Sequence, residues 1–242
     1  MTVDQSWTNK TLPSELVRRS SGTQSRAVAR LRSSLTATHH PSFVQLYYAI
    51  EARRTSSSDS MVVQFVSPSP GAGVSTVASG YARVAASGRS SPVLFVDASC
   101  RPSKNDAAGT DAPTLIEAFD CDLGLADAIV PARNADNLQW ARLCRGSDEL
   151  LAAGSGRLQD LVNLLSARHH LVVFDSASIE RPEAAALSRY CDGSLLVLEA
   201  GVTSQMQVDA ACKRIRQFGG LPIGLVLNRE RRALGGKSVQ FA

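Results

Sequence analysis

The stretch 61–76, MVVQFVSPSPGAGVST, constrains this chain more than any other. It opens on a short apolar β run over 62–66 and passes through Ser67-Pro68-Ser69-Pro70 into Gly71-Ala72-Gly73. Ser75-Thr76-Val77-Ala78 then reads as the first turn of a helix. Strand, glycine-bearing turn and helix N-terminus make the layout of a phosphate-binding loop. Glycines let backbone N–H groups turn toward an anion, and the helix dipole adds partial positive charge there. A hydroxyl at Ser75 is placed to hold Mg²⁺. The same residues would also make a plain strand-to-helix turn, and the loop alone does not decide between the two.

One residue of the pattern is missing. G-x-x-x-x-G-K-[ST] wants Lys directly after the last glycine, and this chain has Val74 there, with Pro68 at the first glycine position. The loop keeps its shape and Ser75 but loses its mobile cation. A charged hydrogen bond contributes roughly 1.5–3 kcal/mol, which corresponds to about ten- to a hundredfold in nucleotide affinity. Catalysis should suffer more, because that Lys neutralises charge during phosphoryl transfer.

The rest of the chain alternates apolar strands with helices. Strands are expected at 92–97, 171–175, 194–199 and 222–228, besides the first at 62–66. Helices are expected at 41–54, 75–87, 124–130, 155–167, 183–191 and 204–218, the last with Met206, Ala210 and Ile215 inward and Gly219-Gly220 as its cap. The stretch 136–151 is ambiguous, with 138–143 reading as a strand or a helix edge. This alternation predicts one α/β domain, a doubly wound and mostly parallel sheet with helices on both faces. Two strands end on an acid, at Asp97 and at Asp175. Ligands of open α/β sheets sit at the carboxyl ends of strands, so both acids are candidates to face a phosphate or metal. An Asp there can equally cap a turn.

Residues 1–40 are polar and read as a flexible arm, with a basic helix at 24–36 carrying Arg26, Arg30 and Arg32. Residues 233–242 read as a short tail. The net charge of +4 does not signal nucleic acid, and aromatics at 5% argue against a base-stacking face. The five cysteines show no C-x-x-C pair and read as free thiols in a reducing compartment. With neither a membrane-length apolar run nor a signal-peptide pattern, a cytoplasmic location is expected.

Over 41–232 these features together resemble the cytoplasmic kinase domain of bacterial tyrosine kinases (BY-kinases), a branch of the MinD/ParA-type P-loop ATPases. Pro70-Gly71-Ala72-Gly73-Val74-Ser75-Thr76 is similar to the family loop P-G-x-G-K-S-T. Asp97-Ala98-Ser99-Cys100-Arg101 resembles its D-x-D-x-R, and Val172-Val173-Phe174-Asp175-Ser176-Ala177-Ser178 resembles its Walker B strand and D-x-x-P. The late stretch 191–229 matches a family strand–helix–strand, in which the residue equivalent to Asn228 lies near adenine. The resemblance implies ATP or ADP held by Gly71, Ala72, Gly73, Val74, Ser75, Thr76, Arg101 and Asn228. It implies Mg²⁺ on Ser75, Asp97 and Asp175, with the two acids in the catalytic role.

The departures shape the expected function. Val74 replaces the loop Lys, Ser99 the second Asp, and Ser178 the Walker B Pro. The family's ring-assembly motif, E-x-x-R-x-x-R, aligns with Pro41, Val44 and Tyr47, and a C-terminal tyrosine cluster is absent. The expectation is therefore a catalytically impaired, pseudokinase-like regulator of exopolysaccharide or capsule synthesis and export, binding nucleotide weakly or not at all. Its partner would be a Wzz-like membrane polysaccharide co-polymerase in trans, drawing it to the inner face of the membrane at most, with homo-oligomerisation open. The alternatives are an active tyrosine kinase or ATPase with an atypical loop, and a MinD/ParA-type positioning ATPase.

Overall fold

A computed structural model describes residues 40–54, 60–88, 91–100, 112–121, 124–132 and 135–229. The N-terminal arm with its basic helix, Arg101 and the C-terminal tail lie outside these residues.

The chain enters with helix α1 (Pro41–Glu51), started by Pro41 and by the His40 side chain, which accepts from Ser42 N–H. Strand β1 (Met61–Ser67) is buried along its whole length. It feeds helix α2 (Val74–Ser87), followed by β2 (Val93–Ala98). Two short helices, α3 (Leu115–Asp120) and α4 (Leu125–Ala128), precede β3 (Val130–Pro131) and β4 (Leu138–Arg142). Helix α5 (Ser147–Arg168) leads to β5 (Leu171–Ser178). Helix α6 (Pro182–Leu187) and a 3₁₀ turn (Ser188–Tyr190) lead to β6 (Gly193–Glu199). Helix α7 (Gln205–Gln217) and β7 (Pro222–Asn228) finish the described chain.

The strands form one sheet in the order β3-β4-β2-β5-β1-β6-β7. Every neighbouring pair is parallel except β3–β4. Strand side chains alternate between faces. Val63 and Phe65 of β1, Val173 of β5 and Leu195 of β6 therefore join α1 and α2 in one buried layer. Leu94, Val96, Val172 and Phe174 point the other way, onto α3 and α5. Val66, Leu196 and Leu198 meet α6 and α7 on that same side. A buried polar residue in the middle of β1, Gln64, interrupts the apolar run. It donates to Ser176 Oγ and to the Ala184 carbonyl and accepts from Ser194 Oγ, so burial leaves its amide paired. The layer over α1 is closed by a close approach. A Cβ on Gly80 would lie 2.5 Å from the Phe43 ring.

The sheet is doubly wound as expected, but it has seven strands rather than five. Strand β4 lies in the ambiguous stretch, and β3 is two residues long. Helix α3 was not anticipated, although it opens on a capping box between Thr114 and Glu117. Helix α5 starts eight residues earlier than expected and breaks its helical geometry at Gly154. The helix expected over 183–191 divides into α6 and the 3₁₀ turn.

Two expectations are corrected. Met206 is 78% exposed and Ala210 is exposed, so neither points inward from α7. The inner face is Val208, Ala211, Cys212 and Ile215. Ile215 is fully buried as expected, and a capping box between Ser204 and Gln207 starts the helix. Second, Cys100 and Cys144 form a disulfide, with Cα atoms 5.4 Å apart. They are 44 residues apart in sequence, and only the β2–β4 pairing brings their strand ends together. Cys121, Cys191 and Cys212 are free.

A crosslink that closes a loop this long removes about 2–4 kcal/mol of chain entropy from the unfolded state. Reduction with excess dithiol, or Cys144→Ser, should lower the melting temperature by roughly 5–12 °C for a domain of this size. Calorimetry on oxidised and reduced protein checks this. Coincident melts would show that the link carries no stability.

Candidate phosphate and metal site

Strand β1 delivers the chain to a loop whose shape depends on two left-handed glycines, Gly71 at φ +93° and Gly73 at φ +87°. An L side chain at Gly73 would be strained and would also collide, since its Cβ would sit 2.3 Å from Asn228 Nδ2. Asn228 ends β7 and donates to the Ala72 carbonyl at 2.8 Å. The edge of the sheet thus grips the loop directly. Ser67 Oγ donates to the Ser69 carbonyl at 2.7 Å and tightens the approach. Helix α2 begins at Val74 with Gly73 as N-cap and no side-chain cap. Its first N–H groups are therefore not satisfied from the cap side chain, as an anion site requires.

The two acids meet through strand register. Parallel pairing of β2 with β5 sets Asp97 directly beside Asp175. Asp175 is buried, 6% exposed, and Ser75 hydrogen-bonds its carboxylate. Burial pushes the Asp175 carboxyl up to about 7, the Ser75 hydrogen bond opposes that rise, and the neighbouring Asp97 charge adds to it. Asp97 Oδ1 accepts the Ser99 N–H at 3.0 Å, and Arg142 Nε lies 4.0 Å from Asp97 Oδ2. Asp97 therefore does cap its own turn, and it also stands at the site.

A cleft of about 310 Å³ opens over this end of the sheet. It is lined by Gly71, Gly73, Val74 and Ser75 of the loop, by Ser99 after β2, by Ser176, Ala177 and Ser178 of β5, and by Arg229. Ser178 Oγ is buried with no hydrogen-bond partner among the described residues. An orphan hydroxyl beside a loop of open N–H groups is satisfied by a phosphate oxygen or by a metal-bound water. The donor set also suits Mg²⁺, a hard cation that takes one or two carboxylates and keeps several waters. Ser75, Asp97 and Asp175 would hold it. Among the described residues no group of three or more His, Cys, Asp and Glu side chains forms a metal cage.

The structure brings together Gly71, Gly73, Val74, Ser75, Asp97 and Asp175. It places Ala72 against Asn228 in a buried contact and leaves Thr76 exposed outside the cleft. Arg101 lies outside the described residues. The sequence reading missed Arg142, because β4 was not resolved as a strand. It missed Arg229, because only the preceding Asn228 was singled out. His169 needs no function. It is buried, its ring nitrogens meet the Leu165 carbonyl and Gln139 Oε1, and burial holds its pKa below the usual value.

No family model and no curated protein matches the chain. Solved structures do. The kinase domain of Escherichia coli tyrosine kinase ETK is 20% identical, with a TM-score of 0.66 over 82% of this chain and 77% of its own. The kinase domain of VpsO is 20% identical, with a TM-score of 0.64 over 85% of this chain and 98% of its own. The septum site-determining protein MinD of Pyrococcus horikoshii, solved with Mg-ADP, is 19% identical, with a TM-score of 0.58 over 72% of each chain. The fold is that of the P-loop NTPases. Within that class its neighbours are bacterial tyrosine kinase domains and MinD ATPases, as the sequence resemblance implied.

The raised Asp175 pKa has a definite sign in stability. Its folded value of about 7 exceeds the ordinary 3.8, so the folded state holds this proton more tightly. Stability from this group is full below about pH 4 and is lost as pH rises through 7. Asp175→Asn removes that loss. Its melting temperature should gain on wild type between pH 4 and 7, reaching roughly 5–10 °C at pH 8. Parallel curves from pH 4 to 8 would contradict the buried, coupled placement.

Proposed function

We propose that this chain is a catalytically impaired, pseudokinase-like relative of the bacterial tyrosine kinases. It acts as a cytoplasmic regulator in exopolysaccharide or capsule synthesis and export, and it binds Mg-ATP or Mg-ADP weakly. The observation that carries this reading is Val74. Where the loop pattern has an amine over the phosphates, Val74 is only 9% exposed and belongs to the core layer under α1 and α2. The cradle of backbone N–H groups, Ser75 and the acid pair survive beside it.

The assembly face supports the same reading. Val44 and Tyr47, which stand where the resembled family carries two assembly charges, are each 5% exposed and pack into the core of α1. A ring built on those charges has no counterpart here. The partner in this reading is a Wzz-like membrane co-polymerase chain in trans. In this reading membrane recruitment runs through that partner; no helix among the described residues is long and apolar enough to cross a membrane. Bound Mg²⁺-nucleotide would supply phosphoryl-transfer chemistry. This chain's residues would hold its phosphates on the loop, orient the metal on Ser75, Asp97 and Asp175, and fall short on charge neutralisation.

A second reading keeps an active kinase or ATPase. The favouring observation is that Ser75, Asp175 and Asp97 still meet at one sheet end. Titration calorimetry with Mg-ADP and a phosphate-release assay separate the two. Wild type should bind Mg-ADP weakly and release phosphate at the buffer rate. Val74→Lys should tighten binding by about ten- to a hundredfold. In cells, Asp97→Asn should restore polysaccharide chain length in a deletion strain as well as wild type does. Hydrolysis by wild type that Asp97→Asn abolishes would establish the active reading instead.

A further inference from the structure

We propose that Arg229 replaces the missing loop lysine, supplying from the end of β7 the positive charge that faces the phosphates of a bound nucleotide. This rests on the reading above that the cleft takes a Mg-nucleotide, and it names how that binding is sustained.

Four observations place the guanidinium there. Among the described residues that line the cleft, Arg229 alone is positively charged. Its backbone is anchored one residue upstream, where Asn228 donates to the Ala72 carbonyl at 2.8 Å. The loop and the start of the arginine therefore move as one piece. Arg229 also adopts φ +59°, a left-handed conformation that is costly for a side chain with a Cβ. Strain of that kind persists where the surrounding contacts demand the direction it gives.

The fourth observation is what holds the side chain now. Arg229 Nη1 pairs with Glu199 Oε1 at 3.1 Å, with the two side chains 55% and 27% exposed. An ion pair this open is weak and readily exchanged. A phosphate offers more charge and matches the planar fork of a guanidinium with paired oxygens. Arg142 does not compete for this role, because it stands beside Asp97 on the metal side of the site. Glu199 is thus a resting partner that the phosphates displace.

The test is calorimetric binding of Mg-ADP and, in a separate arm, of magnesium pyrophosphate. The chains compared are wild type, Arg229→Ala, Arg229→Lys, Glu199→Gln and Val74→Lys, together with the Val74→Lys, Arg229→Ala double variant. Arg229→Ala should weaken both ligands by about tenfold. Arg229→Lys should recover part of the loss. Glu199→Gln should tighten both ligands several-fold, because the competing carboxylate is gone. In the double variant Val74→Lys should make Arg229 dispensable. Melting curves of the ligand-free variants confirm that each folds.

The outcomes separate the two claims. If neither wild type nor Val74→Lys binds either ligand, the nucleotide reading of the cleft fails, and Arg229 with it. Binding that appears only with Val74→Lys keeps the cleft but overturns Arg229 as the substitute. So does wild-type binding that Arg229→Ala leaves unchanged. A loss confined to Mg-ADP, with pyrophosphate unaffected, would place Arg229 on the base or sugar and overturn the phosphate role.

Discussion

Everything at the candidate site hangs on the parallel register of three strands. β5 lies between β2 and β1, with Asp175 beside both Asp97 and Phe65. The strand that carries the loop and the two that carry the acids therefore end at one level. No side-chain interaction in the site could survive a slip there, because one residue of shift turns every side chain to the opposite face. The register is fixed by burial on both faces of the sheet. Val63, Val172 and Val173 are fully buried, and so is Gln64, whose amide is matched to Ser176 and Ser194. A paired polar group in an apolar sheet accepts only one alignment, so Gln64 specifies the register that the valines stabilise.

The same logic explains what could be read from the sequence. The central strands are short, continuous apolar runs bounded by turns, and each of the five expected ones is present. The edges were harder. β4 buries Leu138 and Ala141, three residues apart, and leaves Gln139, Trp140 and Arg142 half-buried, a spacing that resembles a turn of helix more than a strand. β3 is too short to leave any pattern. At the site, the glycines and the acids were legible because chemistry restricts those positions to few residue types. Arg142 and Arg229 were not, because an arginine is common on any surface and only the fold says which ones face a cleft. In α7 Ile215 was legible as inward, but Met206 and Ala210 were not legible as exposed, for a similar reason. Its apolar residues are few, and Met206 drew the reading to the wrong face.

The disulfide belongs to the same end of the sheet. Cys100 lies three residues beyond Asp97 and Cys144 two beyond Arg142, so the bond ties the ends of the two strands whose side chains form the Asp97–Arg142 pair. The spacing of the cysteines in sequence gave no hint of it, since they stand 44 positions apart and meet only through the β2–β4 pairing. Glu183, in the first turn of α6, makes a comparable closure beyond β5. It takes hydrogen bonds from Ser147 and Arg181, and although burial pushes its carboxyl up, those bonds prevail and hold it down to about 2.

A phosphate loop in most settings is an uncomfortable piece of backbone, with N–H groups converging on a point that a ligand neutralises. Here the loop is supported from behind instead. Asn228 reaches from the edge strand to hold Ala72, and Gly73 has no side chain because that amide occupies its place. Val74 then buries an apolar side chain where the loop pattern has a charge that needs water or phosphate. The substitution removes a desolvation cost that the empty site would otherwise carry, and it loses the group that rewards a ligand for binding. On the proposed reading, a cradle that keeps its shape whether or not nucleotide is present suits a protein whose surface is read by a partner. On the proposed reading, the side chain that lets the loop hold its shape unaided is also the one that would weaken its grip on a nucleotide.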